Sequence, residues 1–153
     1  MLIGCAEELN PVIRRKGNDD IELMTVEISV SSMTILCYGA YGPHENSAIE
    51  KKDEFWKVLE EEAISAWISG PGFILQFDGN LWCGSDIIPG DPNTQNKNGK
   101  LFNDFLSRQT HLTVVNSLPF CEGLITRRRR KQDKIEESIL DFFCCLFKSF
   151  AFC

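Results

Sequence analysis

The segment FILQFDGN, residues 73–80, combines a short apolar run with an acid, a glycine and an amide. The run lies between glycines, which predicts a buried strand. This strand delivers Asp78 and Asn80 to its C-terminal end, where ligands usually bind in α/β sheets. If extended geometry persists, the two side chains project from the same side. Alternatively, Asp78-Gly79-Asn80 forms a turn, which these residues also favour strongly.

Upstream of this strand, the pattern predicts a hairpin and then a long helix. Apolar and polar residues alternate over 24–30, with Thr25 on the polar face, and Ser31-Ser32 separate this strand from an apolar run at 33–38. Ser47 and Glu50 fit a capping box that opens the helix. Apolar residues then recur at helical spacing as far as the glycine-rich end at 69–72, namely Ile49, Trp56, Leu59, Ala63 and Trp67.

Downstream, a polar loop over 83–98 leads to a second, shorter helix marked by apolar residues at 101, 102, 105 and 106. Residues 112–115 read as another strand and residues 124–126 as a further element. Residues 127–131 form a basic loop, and residues 138–143 a final buried strand with Asp141 in its middle. Because strands and helices alternate, the fold class is α/β, an α/β sandwich.

Composition narrows the class of protein. The 153 residues are 43% apolar and 25% charged, as in ordinary globular domains. The net charge of −6 excludes a uniformly basic nucleic-acid binder, but residues 97–153 carry 10 basic against 6 acidic side chains. No run approaches the length that spans a bilayer, and no secretory signal opens the chain. With seven cysteines and no C-x-x-C, we expect reduced thiols and an intracellular location, nuclear or cytoplasmic.

Several further residues are candidates for a site. Asp141 lies in an apolar run, where a carboxylate is costly unless it is paired or functional, although an edge strand facing water would also accommodate it. Tyr41 ends the second strand and either presents its hydroxyl to a phosphate or packs its ring. Trp82 either stacks on a base or packs. A cationic run either grips a phosphate backbone, acts as a localisation signal or is solvated; it comprises Arg127, Arg128, Arg129, Arg130 and Lys131.

These pieces, in this order, resemble the endonuclease/exonuclease/phosphatase superfamily, and most of all the apurinic-endonuclease-like domain of non-LTR retrotransposons. Ala40-Tyr41-Gly42-Pro43 is similar to the family's Tyr-x-Pro segment, and Phe77-Asp78-Gly79-Asn80 to its Gly-Asp-Phe-Asn, without the first glycine. The segment 96–102 resembles its Asn-x-Asn-Gly-x-x-Leu helix opening. Residues 124–127 resemble its Thr-bearing strand, and residues 138–142 its Ser-x-x-Asp-Tyr strand, with Phe142 in place of Tyr.

The resemblance implies a partial four-layer α/β sandwich of the DNase I-like type with mixed sheets, over residues 1–145. Residues 146–153 are expected to form a tail, which is either an edge strand or non-native sequence. The resemblance also implies a phosphodiester hydrolase that uses Mg²⁺ and acts on nucleic acid, with DNA expected, and that needs no membrane or small-molecule cofactor. Asp78 is expected to position or deprotonate the attacking water, and Asn80 and Tyr41 to hydrogen-bond the scissile phosphate. Asp141 is expected to orient a catalytic histidine. Asp78 and Asp141 should therefore converge with the amide of Asn80 on one pocket.

The sequence departs from the family pattern in two places. The metal-binding Glu motif is expected upstream of Met1, and the Ser-Asp-His segment that ends the family's domain has no counterpart before Cys153. We therefore expect a weakly active or inactive remnant. The alternatives are a non-catalytic nucleic-acid binder, which would use the cationic run and Trp82, and an interaction fragment that folds with a partner supplying strands.

Overall fold

The computed structural model describes residues 9, 11–15, 21–70, 72–91, 93–119, 121, 125–131, 134–139 and 141–146. Within these ranges the chain forms two α-helices and eight strands, besides a short 3₁₀ helix at Val115–Ser117. In order, the α-helices and strands are β1 (Val12–Arg15), β2 (Glu22–Val30), β3 (Met33–Tyr41), α1 (Ile49–Ser69), β4 (Gly72–Asp78), α2 (Lys97–Arg108), β5 (Thr113–Val114), β6 (Arg127–Lys131), β7 (Lys134–Ser138) and β8 (Asp141–Leu146).

Six strands form one mixed sheet in the order β1-β2-β3-β4-β8-β5. β2 and β3 form the predicted hairpin, with Val30 opposite Met33 on either side of the Ser31-Ser32 turn. β3 and β4 run parallel and are joined by α1, because a parallel pair needs a crossover connection. β8 then pairs antiparallel with β4. β3, β4 and β8, which carry the predicted site residues Tyr41, Asp78 and Asp141, therefore lie side by side.

Both helices pack on one face of this sheet around Trp56. Its ring centroid lies 5.7 Å from that of Phe102 on α2 and 6.0 Å from that of Phe77 on β4. Phe102 is in turn 5.3 Å from Phe142 on β8. Since the side chains of Phe77 and Phe142 point to this face, the alternate residues of their strands point to the other. Asp78 and Asp141 therefore lie on the face away from the helices.

The basic segment and the final strand differ from the sequence prediction. Residues 127–131 are strand β6, not a loop, and pair with β7 in a separate two-stranded hairpin. Arg128 faces Glu137 there, with 2.8 Å between Nε and Oε1, so a cross-strand ion pair favours the extended pairing. β8 begins at Asp141 rather than enclosing it, and Ser138 belongs to β7. The predicted element at 124–126 is no strand at Ile125 and Thr126, and Leu124 lies outside the described residues.

The helix prediction also needs correction at its ends. The capping box is wrong, because the N-cap residue is Ala48 and no side chain caps the helix. Gly70 ends α1 with φ of 90°, as the glycine-rich end predicts. Trp56, Leu59 and Ala63 are buried, whereas Ile49 and Trp67 at the two ends of the stripe are exposed. In β2, Thr25 is buried rather than solvated, because it lies opposite the buried Tyr38.

In the described part of the chain, neither helix is apolar enough over a sufficient length to cross a bilayer. Leu146, expected to begin the tail, is the last residue of β8, and residues 147–153 lie outside the described ranges. Cys83, Cys121, Cys144 and Cys145 have free thiols.

Candidate active site

The carboxyl ends of β3 and β4 bring the predicted site residues into one row across the sheet. Tyr41 is the register partner of Asp78, and Asp78 is directly opposite Asp141 at the start of β8. Opposed residues of an antiparallel pair have Cβ atoms about 4.5–5.5 Å apart. The two acids thus converge as expected, although residues 78 and 141 are far apart in sequence, whereas Asn80 lies beyond the end of β4 and outside this row.

Glu22 extends this row on the side of Tyr41 and was missed by the sequence reasoning. It begins β2 and pairs with Tyr41, the last residue of β3. A signal was available, since counting outward from the two-residue turn Ser31-Ser32 already places residue 22 opposite residue 41. Glu22, Tyr41, Asp78 and Asp141 all line one cavity of about 360 Å³, whose walls also include Gln76 and Phe143.

Asp78-Gly79-Asn80 is both a turn and part of this edge. The carboxylate of Asp78 accepts a hydrogen bond of 3.0 Å from the backbone N–H of Asn80. Asn80 has φ of 46°, in the left-handed region that non-glycine residues rarely adopt. The premise of continued extended geometry is therefore wrong at Asn80, whose side chain turns towards the neighbouring loop and donates to the carbonyl of Gly42 at 2.8 Å.

The loop that follows Tyr41 is hydrogen-bonded to this turn and to α1. Gly42 donates to the carbonyl of Asp78 at 2.7 Å, and a Cβ on Gly42 would lie only 2.9 Å from the carbonyl oxygen of Gly79, so a glycine is needed there. The buried Lys52 on α1 donates to the carbonyl of Glu45. Tyr41 is half-buried, and its ring stands edge-on to His44 with centroids 5.9 Å apart.

Asn116 and Thr126 hold the backbone around Asp141. The amide of the buried Asn116 donates to the carbonyl of Asp141 at 3.2 Å and accepts from the N–H of Phe143 at 2.8 Å. The N–H of Asp141 donates to the hydroxyl of Thr126 at 3.2 Å. Because these bonds use the backbone of Asp141, they leave its half-buried carboxylate to face the cavity.

A second, smaller cavity of about 70 Å³ adjoins the first, since Glu22 and Tyr41 line both. Its wall also includes His44, Ser47 and Lys51, which places one histidine and one cation beside Tyr41. The other histidine, His111, stacks on Trp67 with ring centroids 4.4 Å apart, and burial lowers its pKa. His111 therefore serves packing between the helix ends and is not among the residues that line either cavity.

The side chains that line the larger cavity show whether a divalent metal ion could bind there. Two opposed carboxylates suit Mg²⁺, which prefers oxygen ligands, and like charges directly opposite each other on neighbouring strands are unfavourable. In the described ranges, however, no three side chains of histidine, cysteine, aspartate or glutamate converge closely enough to hold an ion. The described residues therefore do not form a complete metal site, and no reaction step is derived through one.

The predicted nucleic-acid contacts lie outside this row. Trp82 is 42% exposed, and its backbone N–H donates to the side chain of Asn96 at 3.1 Å. Arg128 and Arg130 are exposed on β6, and Glu137 pairs with Arg128, which reduces the positive charge of the strand. For Arg127 and Arg129 the structure gives the strand position only. Trp82, Arg128 and Arg130 are thus accessible, while their role stays a prediction.

No protein-family model and no curated protein sequence matches the chain. Solved structures do match. The endonuclease domain of TRAS1, a telomere-specific non-LTR retrotransposon, is 19% identical with a TM-score of 0.56 over 84% of this chain and 57% of that one. TDP2 from D. rerio, solved with a single-strand DNA product, is 9% identical with a TM-score of 0.53 over 86% of this chain and 48% of that one. An endonuclease/exonuclease/phosphatase family protein from Bacteroides thetaiotaomicron is 16% identical with a TM-score of 0.50 over 86% and 44%.

The chain spans about half the length of these structures. The structural similarity establishes the fold, but sequence identities this low do not establish the activity. The motif-based resemblance is confirmed at that level: the chain has the α/β fold of the endonuclease/exonuclease/phosphatase structures and is similar to a retrotransposon endonuclease domain.

Proposed function

We propose that this chain carries part of the active site of a phosphodiester hydrolase of the endonuclease type, with nucleic acid as substrate and DNA as the expected form. The observation that carries the proposal is the row of Tyr41, Asp78 and Asp141 at the edge of a sheet whose fold is that of nucleases and phosphatases. The neighbours with this fold include a retrotransposon endonuclease and a protein solved with single-strand DNA.

The roles follow from the chemistry of the side chains. The Asp78 carboxylate accepts a proton from water and aims the resulting nucleophile, as a general base does. The hydroxyl of Tyr41 and the amide of Asn80 are neutral donors suited to phosphate oxygens. One amide hydrogen of Asn80 is already bound by Gly42, which leaves the second for the phosphate. Asp141 orients a histidine that donates to the phosphate, a partner the described residues do not supply.

We expect the activity to be weak. Hydrolysis of a phosphodiester by this fold is proposed to need Mg²⁺, and the described residues hold no converging set of three metal-ligand side chains. Charge that develops on the phosphate is then poorly neutralised, and the loss of one such electrostatic group typically costs about 10²–10³-fold in rate. An assay must therefore detect slow nicking, with Mg²⁺ present and with EDTA as the comparison.

The test is nicking of supercoiled plasmid by wild type, Asp78→Asn and Asp104→Asn. Asp78→Asn keeps an oxygen that accepts from the N–H of Asn80, so the turn survives while the base is lost. We expect it to lower the Mg²⁺-dependent rate by about 10²-fold or more. Asp104 is exposed on α2, and its replacement should leave the rate unchanged. Nicking by Asp78→Asn at the wild-type rate would refute the site assignment.

A second candidate function is non-catalytic binding of nucleic acid. The exposure of Arg128, Arg130 and Trp82 favours it, since cationic and aromatic side chains bind phosphate and bases. This function predicts binding that weakens steeply with salt and is lost in the double variant Arg128→Ala/Arg130→Ala, without any nicking. Cleavage that depends on Asp78 would favour the hydrolase instead.

A further inference from the structure

Asn98, the second residue of α2, bonds to both loops that carry the site. It is only 1% exposed, and its Nδ2 donates to the carbonyl of Pro43 at 2.8 Å and to the carbonyl of Asn80 at 3.1 Å. Pro43 lies two residues after Tyr41, and Asn80 two residues after Asp78. One side chain thus ties the end of β3, the end of β4 and the start of α2 together.

We infer that Asn98 is a positioning residue of the proposed site, which sets the Asp78–Asn80 turn against the Tyr41 loop. This inference rests on the proposed function. The inference also extends the proposed function, because it assigns a role to a side chain that lines neither of the two cavities. Asn98 acts through the two backbones and is not a catalytic residue.

The conformation that Asn98 holds is one that the chain does not adopt readily. Asn80 has φ of 46°, and such a residue persists only where its surroundings over-determine it. Three hydrogen bonds do so: from the N–H of Asn80 to Asp78, from its side chain to Gly42, and from Asn98 to its carbonyl. Of the three, only the bond from Asn98 reaches the turn from a helix.

Asparagine is suited to bonding two backbone carbonyls at once, and simple packing does not require it. An amide NH₂ has two hydrogens, one for each carbonyl, whereas serine has one and aspartate at neutral pH none. The Oδ1 of Asn98 is buried and has no hydrogen-bond partner among the described residues, which is unfavourable for folding. A leucine of similar shape would avoid that cost, so helix packing alone does not explain an asparagine here.

The expected consequence is a change in geometry more than in stability. Without the two bonds the turn relaxes, and the amide of Asn80 moves relative to Tyr41. A misplacement of about 1 Å is enough to lower a rate about 10²-fold. Since the groups that bind the rest of a nucleic acid are not moved, KM should change much less than kcat.

The experiment compares Asn98→Leu with Gln109→Leu. Gln109 is a matched control because it is 2% exposed and follows the other end of α2. Its side-chain oxygen has no partner in the part of the chain that the structure describes, and its amide donates to Glu60 rather than to the site. Amide hydrogen exchange is measured for peptides covering 41–46 and 78–83, whose N–H groups on Gly42 and Asn80 report the loop bonds. Urea unfolding is measured alongside, and kcat and KM for plasmid nicking.

We expect Asn98→Leu to speed exchange in both loop peptides about tenfold or more and to lower kcat about 10–100-fold with KM within about threefold. Gln109→Leu should change neither. Unchanged loop exchange in Asn98→Leu, or equal loosening by Gln109→Leu, overturns the inference. If Asn98→Leu does not fold, Asn98→Ser, which retains one donor, replaces it. We expect Asn98→Ser to speed exchange in both loop peptides by less than the tenfold expected for Asn98→Leu.

Failure of the proposed function is separable from failure of this inference. If wild type does not nick DNA under any condition, the hydrolase proposal falls, and loop exchange alone decides whether Asn98 couples the two loops. If wild type nicks DNA and Asn98→Leu does so with unchanged kcat, the positioning role falls while the hydrolase proposal stands.

Discussion

At the scale of single residues, Asn96 and Gly99 show why the start of α2 needs these residue types. Asn96 is the N-cap of α2, and its Oδ1 accepts from the N–H of Gly99 at 2.8 Å and from that of Trp82 at 3.1 Å. A Cβ on Gly99 would clash with the backbone carbonyl oxygen of Trp82. The glycine therefore lets the loop after β4 approach the helix.

We predict that Gly99→Ala destabilises the fold by about 1–3 kcal/mol, because backbone atoms of Trp82 must move, although alanine is the better helix former. Urea denaturation measures the change. Gly72→Ala is the control, since a Cβ there would meet only the side chain of Ile35 at 3.4 Å, an ordinary contact. Equal stability of Gly99→Ala and wild type would show that the loop and helix are not this close.

At the scale of elements, α1 owes its place to a few residues in its middle. Trp56 is 4% exposed and contacts the rings of Phe55, Phe77, Phe102 and Phe105, with centroids 5.2–6.0 Å apart. Trp67 belongs to the same helical stripe but is 39% exposed near the end of the helix. Helical spacing identifies both tryptophans, but the sheet beneath α1 covers only one of them.

We predict that Trp56→Ala lowers the free energy of unfolding by about 3–5 kcal/mol, the usual loss for a large aromatic side chain in a core. Trp67→Ala should cost about 1 kcal/mol, because much of its ring already contacts water. Chemical denaturation followed by circular dichroism measures both variants. Similar losses in the two variants would contradict the packing of α1 described above.

At the scale of the whole molecule, the core joins both helices to the central strands, and two cysteines lie inside it. Cys83 follows the Asp78–Asn80 turn and Cys144 lies in β8, and neither is exposed. Burial raises the pKa of both thiols well above the usual range, and the charge of Asp91 adds to the effect at Cys83. A thiolate is the reactive form, so these thiols should become reactive only when the core opens.

We predict that iodoacetamide at pH 8 modifies Cys121, which is half-buried, in the folded protein and leaves Cys83 and Cys144 unmodified. Mass spectrometry of peptides after timed labelling measures the rates. In urea above the unfolding transition all three should react alike, which is the control for intrinsic reactivity. Labelling of Cys144 in buffer as fast as Cys121 would mean that the helix-covered face of the sheet is open.

Local periodicity accounts for both helices and for the β2–β3 hairpin. The alternation over 24–30, the two-residue turn and the helical stripes predicted β2, β3, α1 and α2, because each pattern reflects the burial of one face. The prediction of a loop over residues 127–131 is wrong, because their charge masks a strand that is extended by pairing with β7. The alternation also predicts Thr25 on the solvent face, and this is wrong, because polarity does not show which face of a sheet the helices cover.

Residue type and order along the chain suffice to name Tyr41, Asp78, Asn80 and Asp141 and to predict the α/β class, because strand ends and turn residues have short-range signatures. Their arrangement depends on long-range pairing. Asp78 meets Asp141 only through the β4–β8 register, and Asn80 is held in its left-handed conformation by bonds to Gly42 and Asn98. Contacts between residues 18 to 63 positions apart have no local signal in the sequence, so they depend on the tertiary structure.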